Sequence, residues 1–181
     1  IDLACGGGLM TKFMTEQGCL TYGYDVDPKL LSIAEKHTQN ISPSPIYKRL
    51  DLENEKPDAK ADIVIACEII EHLQRPITSF IEMLDDCTTE NGHVIISSLN
   101  KTLLSKTFGI WLTEEVLNWL PSGTHQHEDC VALDKLLSCM QEKFSLEGMQ
   151  GLTYDIFTNK FVASSDVSVH YLCCFRKKDG S

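Results

Sequence analysis

The sequence has no excess of basic residues and no Cys-x-x-Cys pair. Its 16 lysines and arginines are outnumbered by 26 aspartates and glutamates, which gives a formal net charge of -10 at pH 7. Because phosphate binding needs clustered basic side chains, this balance argues against a nucleic-acid partner and favours small or lipidic substrates. The eight cysteines are scattered along the chain, which is typical of reduced, mostly buried thiols and argues against a zinc or disulfide framework.

The sequence also lacks an initiator methionine, a leader, an internal repeat and a low-complexity segment. It opens on Ile1-Asp2-Leu3, a pattern typical of the end of a buried strand. We therefore expect an N-terminally truncated fragment, in which the missing leader carries no information about location. The 181 residues are 43% hydrophobic, which suits a single domain over 1–181 with one continuous core.

Apolar runs alternate with helical patterns along the chain, which predicts a doubly wound α/β fold with a mostly parallel sheet. Strands are predicted at 1–3, 19–25, 46–50, 61–66 and 93–99. Helices are predicted at 9–17, after an Asp27 cap, at 78–87 and at 133–144, and the buried stripe of the second helix is predicted to hold Leu30, Leu31, Ile33 and Ala34. The alternation of apolar residues over 167–173 predicts an antiparallel edge strand near the end of the chain.

Three glycines follow the first predicted strand in Ile-Asp-Leu-Ala-Cys-Gly-Gly-Gly at 1–8. A turn of this kind lets a ligand approach the backbone closely and leaves the N–H groups of the next helix free, although a plain tight turn stays open. The spacing does not fit the dinucleotide fingerprint, which disfavours a nicotinamide or flavin cofactor. Asp25 ends the second predicted strand, where a carboxylate can accept hydrogen bonds from both ribose hydroxyls.

Side chains that can bind a metal or move a proton follow the fourth predicted strand in Cys-Glu-Ile-Ile-Glu-His at 67–72. Glu68, Glu71 and His72 fall at i, i+3 and i+4, so a helical turn would put all three on one face. Two converging carboxylates repel each other unless a proton or cation intervenes, and oxygen-rich ligation favours Mg²⁺ or Mn²⁺. A solvated helix start with acids near the helix dipole is the open alternative.

These motifs resemble a class of methyltransferases and, more specifically, one family within that class. Asp2, Gly6 and Gly8 match the first motif of the class I S-adenosylmethionine-dependent methyltransferases, with Ala4 where that motif usually has glycine. The Glu-Ile-Ile-Glu-His stretch looks like the metal motif of the ubiquinone-biosynthesis O-methyltransferases. Four later stretches resemble that family in the same order, at 98–102, 120–125, 151–161 and 166–171.

The resemblance implies a Rossmann-like class I methyltransferase sheet and an enzyme that methylates a phenolic hydroxyl of a polyprenylated catechol lipid in ubiquinone biosynthesis. By this resemblance Glu68, Glu71 and His72 would bind Mg²⁺ or another divalent cation, with His72 as general base in the alternative. The residues implied at the S-adenosylmethionine site are Asp2, Ala4, Gly6, Gly8, Asp25, Asp51, Leu52 and Cys67. For Asp51, a solvated loop aspartate is the competing interpretation.

Hydrophobic residues, including two tryptophans, are concentrated in an insertion at 102–121. Lys106, Glu114 and Glu115 interrupt this run, which is too short and too charged to span a bilayer. Because the resemblance implies a lipid substrate, we expect a partly helical insertion after the fifth strand that lies on the membrane surface. The residues alone favour the alternative, a helix packed on the sheet or on a second subunit.

The family also implies a peripheral location on the matrix side of the mitochondrial inner membrane, or on the cytoplasmic membrane face in a bacterium. A ubiquinone-biosynthesis complex is an implied partner. Two other interpretations stay open: a metal-independent small-molecule methyltransferase, and an inactive assembly subunit that keeps the fold.

Overall fold

The computed structural model describes residues 1–100, 131–155 and 160–180, which contain one eight-stranded sheet and four α-helices. In chain order the strands are β1 (Asp2–Leu3), β2 (Tyr22–Asp25), β3 (Ile46–Arg49), β4 (Ala61–Cys67), β5 (Thr88–Leu99), β6 (Phe144–Asp155), β7 (Lys160–Ser164) and β8 (His170–Lys177). The helices are α1 (Leu9–Glu16), α2 (Pro28–Thr38), α3 (Ile77–Cys87) and α4 (Leu133–Met140), and a 3-10 turn covers Ile70–His72.

The strands lie in the order β3-β2-β1-β4-β5-β8-β6-β7. The first five pair in parallel, whereas β8 is antiparallel to both of its neighbours and β6 is antiparallel to β7. The predicted doubly wound α/β fold is therefore confirmed. Because the chain order reverses between β1 and β4, the carboxyl ends of these two strands form the crevice in which open α/β sheets bind ligands.

The end of the chain differs from the prediction in two details. Strand β8 is antiparallel as expected, but β6 and β7 continue the sheet beyond it, so the edge on this side is β7. The helix predicted over 133–144 ends at Met140, and Phe144 begins β6. Buried Phe144 falls four residues after buried Met140, so its spacing continues the helical pattern although a turn separates the two residues.

The core lies against the central strands and on α3. Leu3, Val64 and Ile96 are completely buried, and α3 buries the predicted face of Phe80, Ile81, Leu84 and Cys87. The prediction for α2 was wrong in part, because its buried residues are Leu31, Ala34 and Thr38, while Leu30 and Ile33 are exposed. The Asp27 cap is confirmed: Oδ1 of Asp27 accepts a hydrogen bond from Lys29 N at 2.8 Å, and Pro28 begins the helix.

Helix α1 presents threonines to the sheet and apolar residues to solvent. Thr11 and Thr15 are buried, whereas Leu9, Met10 and Phe13 are exposed. The hydroxyl of Thr11 donates to Oδ2 of Asp2 at 2.6 Å, so the buried aspartate on β1 determines which side of α1 faces the sheet.

Within the described ranges, no helix is long and apolar enough to cross a membrane. The predicted insertion at 102–121 lies outside the described residues, as does the family-like stretch at 120–125.

Candidate active site

The glycine turn between β1 and α1 is built from left-handed residues. Ala4, Gly6 and Gly8 have φ angles of 55°, 53° and 77°, and Gly8 caps α1 without a side-chain hydrogen bond. At Gly8 a Cβ would lie 2.6 Å from the Tyr47 hydroxyl oxygen and 2.7 Å from the Ala34 Cβ, whereas at Gly6 it would meet nothing within 4 Å. Packing therefore requires glycine at position 8, and the open space over Gly6 admits a ligand.

Ala4 stands in the same left-handed region, which explains why a glycine suits this position better. An alanine there is disfavoured by roughly 1–2 kcal/mol because its Cβ approaches the following carbonyl oxygen. The chain accepts this cost while keeping the turn: Cys5 N donates to Tyr24 O at 2.9 Å, and Gly8 N donates to Cys5 O at 2.9 Å.

Asp25 ends β2 and holds the glycine turn through both carboxylate oxygens. Oδ2 accepts a hydrogen bond from Gly6 N at 2.8 Å, and Oδ1 accepts one from Asp27 N at 2.9 Å. Asp25 is only 8% exposed, so its carboxylate is fixed at the switch point with lone pairs left for a ligand. Asp2 lies beneath the turn at 3% exposure, where burial raises its pKa and the bond from Thr11 opposes that effect. This placement makes Asp2 a support for the turn, and its contact with a cofactor stays a prediction.

Asp51 and Leu52 follow β3 on the same edge of the sheet. The Asp51 carboxylate accepts hydrogen bonds from the Asn54 side chain at 2.9 Å and from Glu53 N at 3.0 Å, which lower its pKa. Leu52 is buried, and its carbonyl accepts a hydrogen bond from Nη1 of Arg75 at 2.6 Å. Asp51 thus caps its own turn, and its contact with a cofactor stays a prediction, while Arg75 ties this turn to the segment after β4.

Glu68 leaves β4 in a left-handed conformation, with φ at 52°. Its Oε1 accepts a hydrogen bond from the Ser97 hydroxyl at 2.5 Å and lies 2.7 Å from Nε2 of His170. Burial works to raise the pKa of Glu68, but the hydrogen bonds with His170 and Ser97 outweigh it and hold the pKa below its usual value. The Glu68 carboxylate is therefore ionised, and Ser97 and His170 both hold it.

Glu71 lies beside Glu68 but in a different environment. It is 5% exposed, its Oε2 accepts a hydrogen bond from the Ser98 hydroxyl at 3.0 Å, and its buried Oε1 has no hydrogen-bond partner among the described residues. Burial, assisted by the charge on Glu68, raises its pKa to about 7. The two carboxyls therefore titrate far apart: one is charged and the other exchanges a proton near neutral pH.

The residues after β4 do not form a regular α-helical turn. Glu68 is left-handed and a 3-10 turn follows it, in which Glu71 is buried and His72 is exposed. The backbone therefore differs from the helical turn that the spacing assumed, and the grouping of His72 with the two carboxylates stays a prediction. Over the described ranges, no three His, Cys, Asp or Glu side chains are grouped as metal ligands.

The glycine turn and the acidic pair, which consists of Glu68 and Glu71, are neighbours because β1 and β4 are paired. Leu3 and Ala66 are register partners, so Ala4 and Cys67 leave adjacent strands at the same edge of the sheet. Half-buried Cys67 pairs with Ser97 on β5, and burial raises the pKa of its thiol. A thiol of that kind is a packing group and not a nucleophile.

The comparisons with known proteins agree with this geometry. Residues 1–96 match the protein family described as Methyltransferase domain. The chain is 33% identical to the ubiquinone biosynthesis O-methyltransferase of Pelagibacter ubique (strain HTCC1062), covering 98% of this chain and 74% of that protein. It is 30% identical to the mitochondrial ubiquinone biosynthesis O-methyltransferase of Arabidopsis thaliana, covering 98% of this chain and 56% of that protein. The chain belongs to the ubiquinone-biosynthesis O-methyltransferase family.

Solved structures support the fold of this O-methyltransferase. Magnesium protoporphyrin IX methyltransferase from Synechocystis PCC 6803, with bound SAH, aligns with a TM-score of 0.69 at 19% identity, over 98% of this chain and 73% of that one. An N-methyltransferase from Bradyrhizobium japonicum WM9, in complex with S-adenosyl-L-homocysteine, aligns with a TM-score of 0.67 at 15% identity, over 97% of this chain and 76% of that one. The class I S-adenosylmethionine-dependent methyltransferase fold is thereby confirmed.

Sequence reasoning missed several residues of the O-methyltransferase site. Ser97 and Ser98 lie near the end of β5, beside β4, and donate hydrogen bonds to the two glutamates, and His170 begins β8 at the same edge. The signal for the serines was available, because two adjacent hydroxyls lie near the end of the predicted strand that follows the acidic motif. His170 stood within the family-like stretch at 166–171 but carried no assigned role.

A separate cavity of about 410 Å³ lies at the opposite ends of the strands. Its lining includes Thr21 and Tyr22 at the start of β2 and Ala61 and Asp62 at the start of β4. Ligands of open α/β sheets bind at the carboxyl ends, so this cavity is not the active site.

Proposed function

We propose that the protein transfers a methyl group from S-adenosylmethionine to a phenolic hydroxyl of a polyprenylated catechol in ubiquinone biosynthesis. The observation that carries this proposal is the acidic pair beside the glycine turn. Glu68 and Glu71 sit at the carboxyl end of the strand next to β1, one carboxyl held ionised and the other able to exchange a proton near pH 7.

The cofactor would be held by the turn and by Asp25. Gly6 provides open space for a close approach of the backbone, and Asp25 presents a fixed carboxylate for the ribose hydroxyls. Ala4, Gly8, Asp51, Leu52 and Cys67 complete the proposed cofactor surface, with Asp2 supporting it from below. When bound, S-adenosylmethionine supplies an electrophilic methyl group on its sulfonium.

Glu71 is the residue that we assign to the substrate proton. A phenol has a pKa of roughly 10, so little phenolate exists at neutral pH. The buried Oε1 of Glu71, which has no hydrogen-bond partner within the described part of the chain, can accept the phenolic proton, because the pKa of about 7 leaves Glu71 partly ionised at working pH. Glu68 stays charged under its two hydrogen bonds and favours the approach of a proton to the pair. Alignment of the two reactants in the crevice can supply roughly 7–11 kcal/mol of barrier reduction.

The same residues fit a divalent cation in part. Two neighbouring carboxylates are the hard oxygen donors that Mg²⁺ prefers, and one buried oxygen of Glu71 makes no hydrogen bond to any residue that the structure describes. Glu68, Glu71 and His72 would hold the cation. A bound divalent cation would lower the pKa of the phenol and fix its oxygen.

A metal-independent enzyme is the second candidate, and one observation favours it. Over the described ranges the serines and His170 already contact two of the four carboxylate oxygens of the pair, Oε1 of Glu68 and Oε2 of Glu71, and no three-ligand group is present. In a metal-independent enzyme Glu71 acts alone as the general base, and a chelator has no effect on turnover.

The test measures S-adenosylmethionine binding by calorimetry and methyl transfer to a short-chain prenyl catechol, with and without a chelator. We expect Glu71→Gln and Glu68→Gln to bind the cofactor normally and to lose turnover. Glu147→Gln is the matched control, because Glu147 also pairs with a histidine, His93, but at an exposed site. Loss of turnover on chelation supports the cation, and turnover indifferent to the chelator supports the metal-independent form. A protein that binds the cofactor and methylates no catechol refutes the proposed substrate class.

We further propose that 102–121 brings the enzyme to the surface of the membrane that holds its lipid substrate. The support is the composition of this segment, apolar with interspersed charges and two tryptophans. The location would be the matrix side of the mitochondrial inner membrane in a eukaryote or the cytoplasmic face in a bacterium. Flotation with anionic liposomes should carry the intact protein, and Trp111→Ser with Trp119→Ser should reduce that binding.

A further inference from the structure

His170 begins β8 at the edge of the sheet that carries the acidic pair. It is the register partner of Leu99, the last residue of β5, so the β5–β8 ladder fixes its backbone beside the two serines. Its side chain is 16% exposed, and Nε2 lies 2.7 Å from Oε1 of Glu68. His170 therefore reaches the site from a strand that is distant in sequence.

Glu68 needs an external restraint. It has a positive φ, follows the end of β4, and its side chain is 43% exposed, so its own backbone does not restrict the carboxylate to one direction. Two hydrogen-bonding groups converge on a single oxygen, Oε1: the Ser97 hydroxyl and the His170 imidazole. Both belong to paired strands, whereas Glu68 lies on a connecting segment. The rigid sheet therefore orients the carboxylate.

The geometry points to His170 as an imidazole that serves the acidic pair: it positions the Glu68 carboxylate through its contact with Oε1. This inference rests on the proposed function, in which the pair receives the phenolic proton. His170 acts through Glu68 and is a positioning residue. Its Nδ1 is buried without a hydrogen-bond partner among the described residues, so Nε2 provides its contact with the site.

Kinetics of His170 variants test this role. His170→Ala should lower kcat roughly 10- to 100-fold, the range found when supporting residues of a site are removed, with an unchanged dissociation constant for S-adenosylmethionine. His170→Gln should recover most of the loss, because its amide nitrogen can donate from about the position of Nε2. His93→Ala is the matched control, since His93 makes a similar contact with Glu147 through Nε2 at 3.0 Å at the other end of the β5–β8 ladder.

A double-mutant cycle separates positioning from a general structural effect. If His170 acts through Glu68, His170→Ala should cost less than twofold more when Glu68 is already glutamine. A loss that persists in full in the Glu68→Gln background overturns the proposal. It is also overturned if His170→Ala and His93→Ala have the same kcat.

A crystal structure of His170→Ala gives a result that does not depend on turnover. We expect the Glu68 side chain to leave its position beside Ser97, while Glu71 keeps its contact with Ser98. An unmoved Glu68 overturns the inference. If the wild-type protein methylates no catechol, the proposed function fails, and the crystal structure still decides the role of His170.

Discussion

Asp85 should stabilise the fold far more than its neighbour Asp86, although both carboxylates pair with lysine. Asp85 lies at the end of α3, where Oδ1 is 2.9 Å from Nζ of Lys177 and Oδ2 is 2.7 Å from Nζ of Lys143. Lys177 is only 5% exposed, and its ammonium also donates to two backbone carbonyls. Removing the carboxylate would leave that ammonium buried without its counter-charge.

The structure gives the size of the effect. Removing one partner of a buried ion pair costs roughly 3–5 kcal/mol. Asp85→Asn should fall at the low end, near about 3 kcal/mol, because the amide keeps one acceptor and Lys177 keeps its carbonyls. Asp86 pairs with Lys56 at 3.0 Å in an exposed position, so Asp86→Asn should cost about 0–1 kcal/mol.

Urea unfolding of the three proteins measures this difference. With an m value of about 2 kcal/mol/M, the Asp85 variant should unfold at a midpoint lower by roughly 1.5 M, and the Asp86 variant should stay close to the wild type. Equal losses of unfolding free energy in the two variants would contradict the assignment of Asp85 as a buried counter-charge.

The pH dependence gives the same prediction a second form. Burial works to raise the pKa of Asp85, but the hydrogen bonds and charges of Lys143 and Lys177 outweigh it and lower the pKa. The contribution of Asp85 to the free energy of unfolding is therefore complete above the pKa of an unfolded aspartate, about 4. It is lost as the pH falls through the lower pKa of Asp85 in the folded protein. The gap between the wild type and Asp85→Asn should narrow below that range.

Two further outcomes are expected. The pKa of Glu71 is raised to about 7 in the folded protein, so its contribution to the unfolding free energy is complete below the pKa of an unfolded glutamate and is lost as the pH rises through 7. Urea unfolding at about pH 5 and about pH 8 should show this loss in the wild type and not in Glu71→Gln. Gly8→Ala should destabilise the fold, because its Cβ would lie 2.6 Å from the Tyr47 hydroxyl oxygen. Gly6→Ala should stay folded, at a cost of about 1–2 kcal/mol for a left-handed alanine, and should lose S-adenosylmethionine binding. Thermal melting measures the stability of both variants, and calorimetry measures their binding of S-adenosylmethionine.

Local features of the fold could be predicted from the sequence because neighbouring residues determine them. The Asp27 cap depends on a side chain and a backbone N–H two residues apart, and the buried face of α3 follows the helical period. The glycine turn was also predictable, since its left-handed residues directly follow β1 in the sequence and two of them are glycines. Each of these needs only a short window of sequence.

Features set by distant contacts could not be predicted in the same way. The orientation of α1 depends on a hydroxyl of Thr11 reaching buried Asp2, which overrides the apolar pattern of the helix. The acidic pair was found from its motif, but the motif was interpreted as a regular helical turn, whereas Glu68 is left-handed and a 3-10 turn follows it. The partner of Glu68 is His170, more than a hundred positions later, and that contact exists only because β8 inserts between β5 and β6.

Strand β8 thus connects the two parts of the molecule for which we make the largest predictions. Its first residue, His170, reaches the active site, and its last residue, Lys177, lies in the ion cluster of Asp85. Because the ladder with β5 runs from His170 to Arg176, the strand stays paired over the whole distance between them. Asp85→Asn should therefore lower stability with little change in kcat under native conditions, and His170→Ala should lower kcat with little change in stability. If either variant altered both quantities equally, β8 would be one cooperative unit, and positioning by His170 would be inseparable from the stability of the strand.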